Sequence, residues 1–372
     1  MTFDLYADRG MLLDALNRAR PFVSNNKDGA GRFAHFVVSG TMVTITANNG
    51  EAFGVVHIVA NTARPGEAHV NLSSLLDDVK AIRDAAIHLE VIGTTLNPRL
   101  RVSGATDTRI TPLLDEVAAG VLPVPTMPDG GWRCTAGPLS RALEAVSFAI
   151  ATEDVRWGLN GAHVEIDKDN REELRIVATD GHRLAVARVG FKGDFALPRQ
   201  TLIPRQACRD LAHIDAGELR MVIDDGWLHA SVGTDLFGWR LLDGEFPNYH
   251  TIVPTETRYS VRFRRADLLA KVKAAASIVS RAGKTYPIHF IAKDGEISIR
   301  LQVDGRESLS TLAGDNEGVI DAGFNAAYLA DALDALECDQ ARIRINNPLA
   351  PAIVEPDDAG GSFGVVMPMR ID

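Results

Sequence analysis

Two families of helix-like segments recur along the chain at almost one period, and this repetition limits the fold more than any other feature. The first family is MLLDALNRARPFVS (11–24), PLSRALEAVSFAIA (138–151) and DLLAKVKAAASIVS (267–280). With Leu16, Leu143 and Val272 aligned, the separations are 127 and 129 residues. The second family is NLSSLLDDVKAIR (71–83), IPRQACRDLAHI (203–214) and NAAYLADALDAL (325–336). Aligning Val79, Leu211 and Leu333 gives 132 and 122. Two independent families at nearly one spacing predict three tandem domains, each close to a third of the 372 residues. A third of this length is large enough to enclose its own core.

Between the helices the pattern changes to period two. HFVVSGTMVTITA (35–47), ELRIVATDGHRLAVARV (173–189) and PIHFIAKDGEISIRLQV (287–303) alternate apolar and polar residues and are split by turn residues. Asp180-Gly181 and Asp294-Gly295 are hairpin signals, because a tight turn needs positive φ. Each third reads as strands, helix, strands, helix, strands: an α+β domain with helices on one face of antiparallel sheet. Pro- and Gly-rich joints at LPVPTMPDGG (122–131) and FPNYHTIVPTET (246–257) place the domains at 1–127, 128–254 and 255–372.

Composition excludes several classes. Hydrophobic residues at 46% and charged residues at 24% are those of a globular chain, not a low-complexity one. No apolar run approaches the roughly 20 residues of a membrane span, and the acid-bearing N-terminus has no signal core, so a cytoplasmic location is expected. Cys134, Cys208 and Cys338 stand far apart and suit a reducing compartment, with no disulfide framework or zinc site. The net charge of −10 describes the whole molecule and does not exclude a basic face for nucleic acid.

Catalytic signatures are missing: GxSxG, HExxH, P-loop and GxGxxG do not occur. DGAG (28–31) reads as a turn. Asp180 and His182 resemble an acid–base pair, but flanking a hairpin glycine they read better as turn residues. His163, His213 and His289 are isolated, and Trp157 and Tyr249 read as core or rim aromatics. Neither a metal nor a cofactor is expected.

VATDGHRLAVARV (177–189), LLDGEFPNYHTIVP (241–254) and the terminal VVMPMRID (365–372), in this order, resemble the bacterial DNA polymerase III beta subunit, the DNA sliding clamps. DVRWGLNG (154–161) and GFNAAYLADALDAL (323–336) add to the resemblance, which covers most of residues 131–372. It thins toward the N-terminus. There RPFVSNNKDGAGRFAHFVVSG (20–40) keeps only Arg20-Pro21 of the family's Pro-rich stretch. Gly158 stands where the family commonly has a second aromatic after Trp157, and Thr251 where it often has Arg.

The resemblance implies two chains closed head to tail into a ring around duplex DNA. Helices would line the hole and grip phosphates without reading sequence. It places Arg18, Arg20, Lys80, Arg83, Arg141, Arg156, Trp157, Arg205, Arg209, Lys271 and Lys273 toward DNA, with Arg281 and Lys284 beside them. The helix NAAYLADALDALE carries only acids and is the exception. Ile278 and Val279 would form the dimer contact. A cleft between the second and third domains would take short linear peptides of the polymerase III alpha subunit, the clamp loader, other polymerases and repair proteins. Its residues would be Leu159, Thr179, Gly181, His182, Arg183, Leu184, Pro247, Thr251, Ile252, Asn325, Tyr328, Leu349, Val365, Val366, Met367, Pro368, Met369 and Arg370. The expected protein is a non-catalytic, nucleoid-associated processivity factor. Two alternatives stay open: a clamp-derived scaffold that no longer encircles DNA, and an α+β enzyme using Asp180 and His182.

Overall fold

The computed structural model describes residues 2–24, 33–94, 96–113, 125–152, 156–193, 197–198, 200–214, 216–282, 287–303, 305–358 and 361–371. One order of elements occurs three times. The first third runs β1 (Asp4–Asp8), α1 (Arg9–Ala19), β2–β6 within residues 33–71, α2 (Leu72–Ala81) and β7–β9 within 86–112. The second runs β10 (Trp132–Thr135), α3 (Ala136–Ser147), β11–β14 within 161–204, α4 (Arg205–Ala212) and β15–β17 within 218–240. The third runs β18 (Tyr259–Arg264), α5 (Arg265–Ala282), β19–β23 within 287–325, α6 (Ala326–Asp334) and β24–β26 within 340–366. This is the α+β class expected from the periodicity.

Local chemistry explains the elements. Asp8, Asn71 and Asn325 cap α1, α2 and α6 by accepting backbone N–H groups of the first turn. The buried positions of α1 are Leu12, Ala15, Leu16 and Ala19, a single stripe at helical spacing. Pro21 follows in a 3-10 turn (Arg20–Phe22) and ends the helix. Asp294-Gly295 is a two-residue hairpin turn between the paired Lys293 and Glu296, and both turn residues have positive φ, 54° and 83°. Asp180-Gly181 belongs to a wider turn between Thr179 and Leu184, in which only Gly181 has positive φ. There the Asp180 carboxylate accepts the backbone N–H groups of His182 and Arg183 and the Nε of Arg183. That occupation makes it a turn residue and leaves no free base.

Sheets do not stop at the thirds. β17 (Asp235–Arg240) pairs with β4 (Ala52–Val59), Leu236 opposite Val55 and Gly238 opposite Phe53. A Cβ on Gly238 would come within 2.2 Å of the Phe53 ring, so that close approach requires glycine. β26 (Phe363–Val366) inserts between β13 (Arg183–Gly190) and β25 (Ala352–Pro356). By its contacts the chain divides into two compact units. One comprises Met1–Arg133, Gly193–Phe195 and Gly217–Arg240; the other comprises Cys134–Lys192, Ala196–Ala216 and Leu241–Asp372. In the first, Phe22, Phe237 and Trp239 stack beside the β17–β4 seam. In the second, one core cluster gathers Val261, Leu268, Phe290, Phe324 and Leu333 under α5 and α6. A separate cluster gathers Leu159, Leu184, Phe246, Tyr249, Ile353 and Val365. The helices pack in pairs, α1 on α2, α3 on α4 and α5 on α6. Among the described residues no helix is long and apolar enough to cross a membrane.

Candidate functional site

The second unit brings residues from distant parts of the chain to one place. The end of the chain is tied down twice. The Met367 N–H donates to the His182 carbonyl at 3.0 Å, and the Met369 N–H donates to the Gly323 carbonyl at 2.8 Å. A Cβ on Gly323 would stand 2.5 Å from the Met369 carbonyl oxygen, so only glycine admits the strap there. Next to it the His182 ring stacks on Tyr328, with centroids 6.1 Å apart. The Arg183 guanidinium lies 4.4 Å from the centre of the Tyr328 ring and 5.3 Å from that of Phe148. Asp180 (2.9 Å) and Asp331 hold the same guanidinium. A recess of about 260 Å³ is lined here by Phe148, Ala151, His182, Arg183, Arg205 and Tyr328.

Of the expected peptide residues, His182, Arg183 and Tyr328 line this recess. Leu159, Thr179, Leu184, Val365 and Val366 are buried. Val365 and Val366 are members of the paired strand β26 and present little surface of their own. Gly181, His182, Pro247, Thr251, Ile252 and Met367 are exposed, and Arg183, Asn325, Tyr328, Pro368 and Met369 are half-buried. Asn325 uses its carboxamide to cap α6. Leu349 and Arg370 are exposed. Phe148 and Asp331 were not signalled by the sequence. An aromatic after an apolar helix looks like core, and an aspartate on an acidic helix looks like solvent-facing charge.

The segment carrying Pro247, Thr251 and Ile252 is anchored by a polar cluster. The Tyr249 hydroxyl donates to Glu165 at 2.5 Å. His163 and His250 lie 3.6 and 3.4 Å from the same carboxylate. Burial alone would raise the Glu165 pKa, but hydrogen bonds from His163 and Tyr249 and the charge of His250 outweigh it and bring it down to about 2. Burial, with the bond to Glu165, pushes the Tyr249 hydroxyl up. The folded Glu165 is thus more acidic than a glutamate's ordinary value of 4.5, so its contribution is complete above that pH and fades as pH falls toward 2. Between pH 4.5 and 2 the wild type should lose stability relative to Glu165→Gln. The expected difference is on the order of 2 kcal/mol. Parallel urea-denaturation curves through that window would contradict this coupling.

The expected DNA-facing cations meet differing surroundings. Lys273 contacts Asp334 at 2.9 Å and Arg141 contacts Glu337 at 3.4 Å. The acids of α6 and its C-terminal extension therefore pair with cations of α5, α3 and the start of β13, which accounts for an acidic helix among basic ones. Such exposed pairs contribute about 1 kcal/mol at most. Arg205 donates to the Thr152 hydroxyl, and Arg209 and Lys271 are exposed. In the first unit, Arg18 is paired with Asp14 (3.0 Å) and Asp235, whereas Arg20, Lys80 and Arg83 are exposed. Arg156 lies beside Gly181. The side chains of Trp157, Val279 and Arg281, together with Lys284, lie outside the described residues. Ile278 is exposed.

Sequence models of known families match this part of the chain. That of the DNA polymerase III beta subunit central domain covers residues 135–248, and that of the C-terminal domain covers residues 250–370. The chain belongs to the bacterial DNA polymerase III beta-subunit family. The beta sliding clamp of Vibrio cholerae is 33% identical over 241 residues, 64% of this chain and 64% of that relative's length. The beta sliding clamp of Pseudomonas putida is 28% identical over 347 residues, 90% of each chain. A crystal structure of a DnaN sliding clamp from Pseudomonas aeruginosa bound to griselimycin superposes with a TM-score of 0.88 at 26% identity, over 100% of both chains. The Bacillus subtilis sliding clamp reaches a TM-score of 0.89 at 18% identity, a likeness of fold alone.

Proposed function

We propose that the protein is a DNA sliding clamp: a non-catalytic processivity factor that encircles duplex DNA and tethers replication and repair proteins. The observation that carries this reading is the meeting of His182, Arg183, Tyr328 and Met367, from two repeats and the chain end. A flexible Met, a Pro and aromatic faces form an adaptable surface for several related peptides. The occupants would be short linear segments of the polymerase III alpha subunit, the clamp loader and other polymerases and repair proteins. By likeness to the Pseudomonas aeruginosa clamp, griselimycin would also bind.

The repeated order of elements supports a division into three domains, which we place at 1–127, 128–254 and 255–372. Ring closure is supported by two open sheet edges. β9 (Thr108–Pro112) ends the five-stranded sheet and exposes Ile110, and β21 (Arg306–Ala313) ends the four-stranded sheet and exposes Leu309. An uncovered edge with apolar side chains is a template for another chain. In a head-to-tail dimer these edges would pair, joined by Ile278 and Val279. The ring would slide on weak phosphate contacts from the helix cations and work in the cytoplasm at the nucleoid. Sedimentation should give twice the 40.2 kDa chain mass, and a lone monomer at micromolar concentration would contradict the ring.

A further inference from the structure

Beyond the peptide cleft, the same sheet face carries a second recess, of about 270 Å³. Leu184, Val186 and Arg188 follow one another at period two along β13, so the arginine continues the line of two residues of the Leu159–Phe246 cluster. Val253 and Pro254, which follow directly on Ile252, form one wall, and Ile353 and Phe363 supply apolar surface. Opposite them stand Arg342 and Arg344 of β24 (Gln340–Ile345).

The charges of this recess are under-matched. Arg342 and Arg344 both point their Nε at one oxygen of Glu355, each at 2.6 Å, so two guanidiniums share one carboxylate. The carboxylate nearest Arg188 is Asp167, which Arg175 already engages with two nitrogens. Arg188 Nε lies 3.4 Å from it, is buried, and makes no hydrogen bond among the described residues. Asp358 is the other acid of the lining. Three guanidiniums thus line the recess beside two carboxylates, Glu355 and Asp358, and the third carboxylate, Asp167, stands outside the lining and is shared by Arg188 with Arg175.

We propose that this recess receives the carboxylate of an acidic side chain flanking the apolar anchor of a partner peptide held in the cleft. The proposal rests on the cleft reading above. An anchor over Leu184 lies four β-residues from Arg188, roughly 13 Å at the rise of a strand. An extended peptide covers that distance in about four residues. The recess is therefore a specificity element: it ranks partners by acidic residues placed four positions from the anchor.

Two fluorescein-labelled clamp-binding peptides of the glutamine-and-leucine type test this with the full-length protein. One carries four alanines beyond the anchor on the flank that reaches the recess; the other carries two glutamates at the third and fourth positions. Because the strand direction of the peptide is open, both flanks are made. Fluorescence polarisation at low salt should show one glutamate peptide binding about tenfold tighter than its alanine counterpart. Arg188→Gln should remove that gain and leave the alanine peptide unchanged. Arg188→Lys, which keeps the charge, should restore part of it. Equal binding of alanine and glutamate peptides on both flanks overturns the recess but leaves the cleft standing. A gain that survives Arg188→Gln overturns it as well. Failure of every peptide to bind removes the cleft, and the recess with it.

Discussion

Deleting residues 367–372 is expected to abolish binding of a clamp-binding peptide while the dimer remains. The deletion takes away Met367, Pro368 and Met369, the rim of the site, and the two backbone bonds that seat them on His182 and Gly323. Val365 and Val366 stay, still paired with Leu184, Arg183 and the strand Ala352–Pro356, so the sheet retains its last strand. Side chains at the centre of a binding site each cost on the order of 2 kcal/mol when lost. Losing two or more should weaken the peptide at least about a hundredfold. Unchanged affinity in a folded, dimeric truncation would show that the chain end is only a strand terminus.

The second large effect concerns the contact between chains. Ile278 sits exposed near the end of the helix Arg265–Ala282, with Val279 next in the chain. Changing both to glutamate would place two carboxylates in a contact that excludes charge at its centre. Each unpaired buried charge costs at least about 2 kcal/mol, so the dimer should weaken about a thousandfold and sediment as a folded 40.2 kDa monomer. Leu309→Glu on the open edge strand should act in the same direction. A double variant that stays dimeric would place the contact elsewhere.

The strands and helices were legible because burial imposes a period. Phe36, Val38, Val43 and Ile45 alternate as inward residues of a hairpin, and Leu139, Leu143 and Val146 repeat at helical spacing. Pairing across the thirds was not legible. Nothing in Leu236–Trp239 specifies Ala52–Val55 as its neighbour, since period two marks a strand's buried face and not its partner. The family was legible through its motif, TDGHRLA with a terminal MPMR, but the surroundings of each residue were not. Val365 and Val366, expected as lining, lie in a paired and buried strand, and Arg183 is held by Asp180, Asp331, Tyr328 and Phe148. The acids of the last helix looked like an obstacle to DNA until Asp334 and Glu337 were seen beside Lys273 and Arg141. Such partners, some 60 or more residues away in sequence, leave no local pattern.

Topology offers the most direct test of the central claim. Contact with phosphates weakens steeply as salt rises, whereas a closed ring cannot leave a closed circle at any salt. Protein loaded on nicked circular duplex DNA should therefore survive a high-salt wash and be released when a single restriction cut makes the DNA linear. Equal retention on circular and linear DNA, or loss from both in the wash, would contradict encirclement.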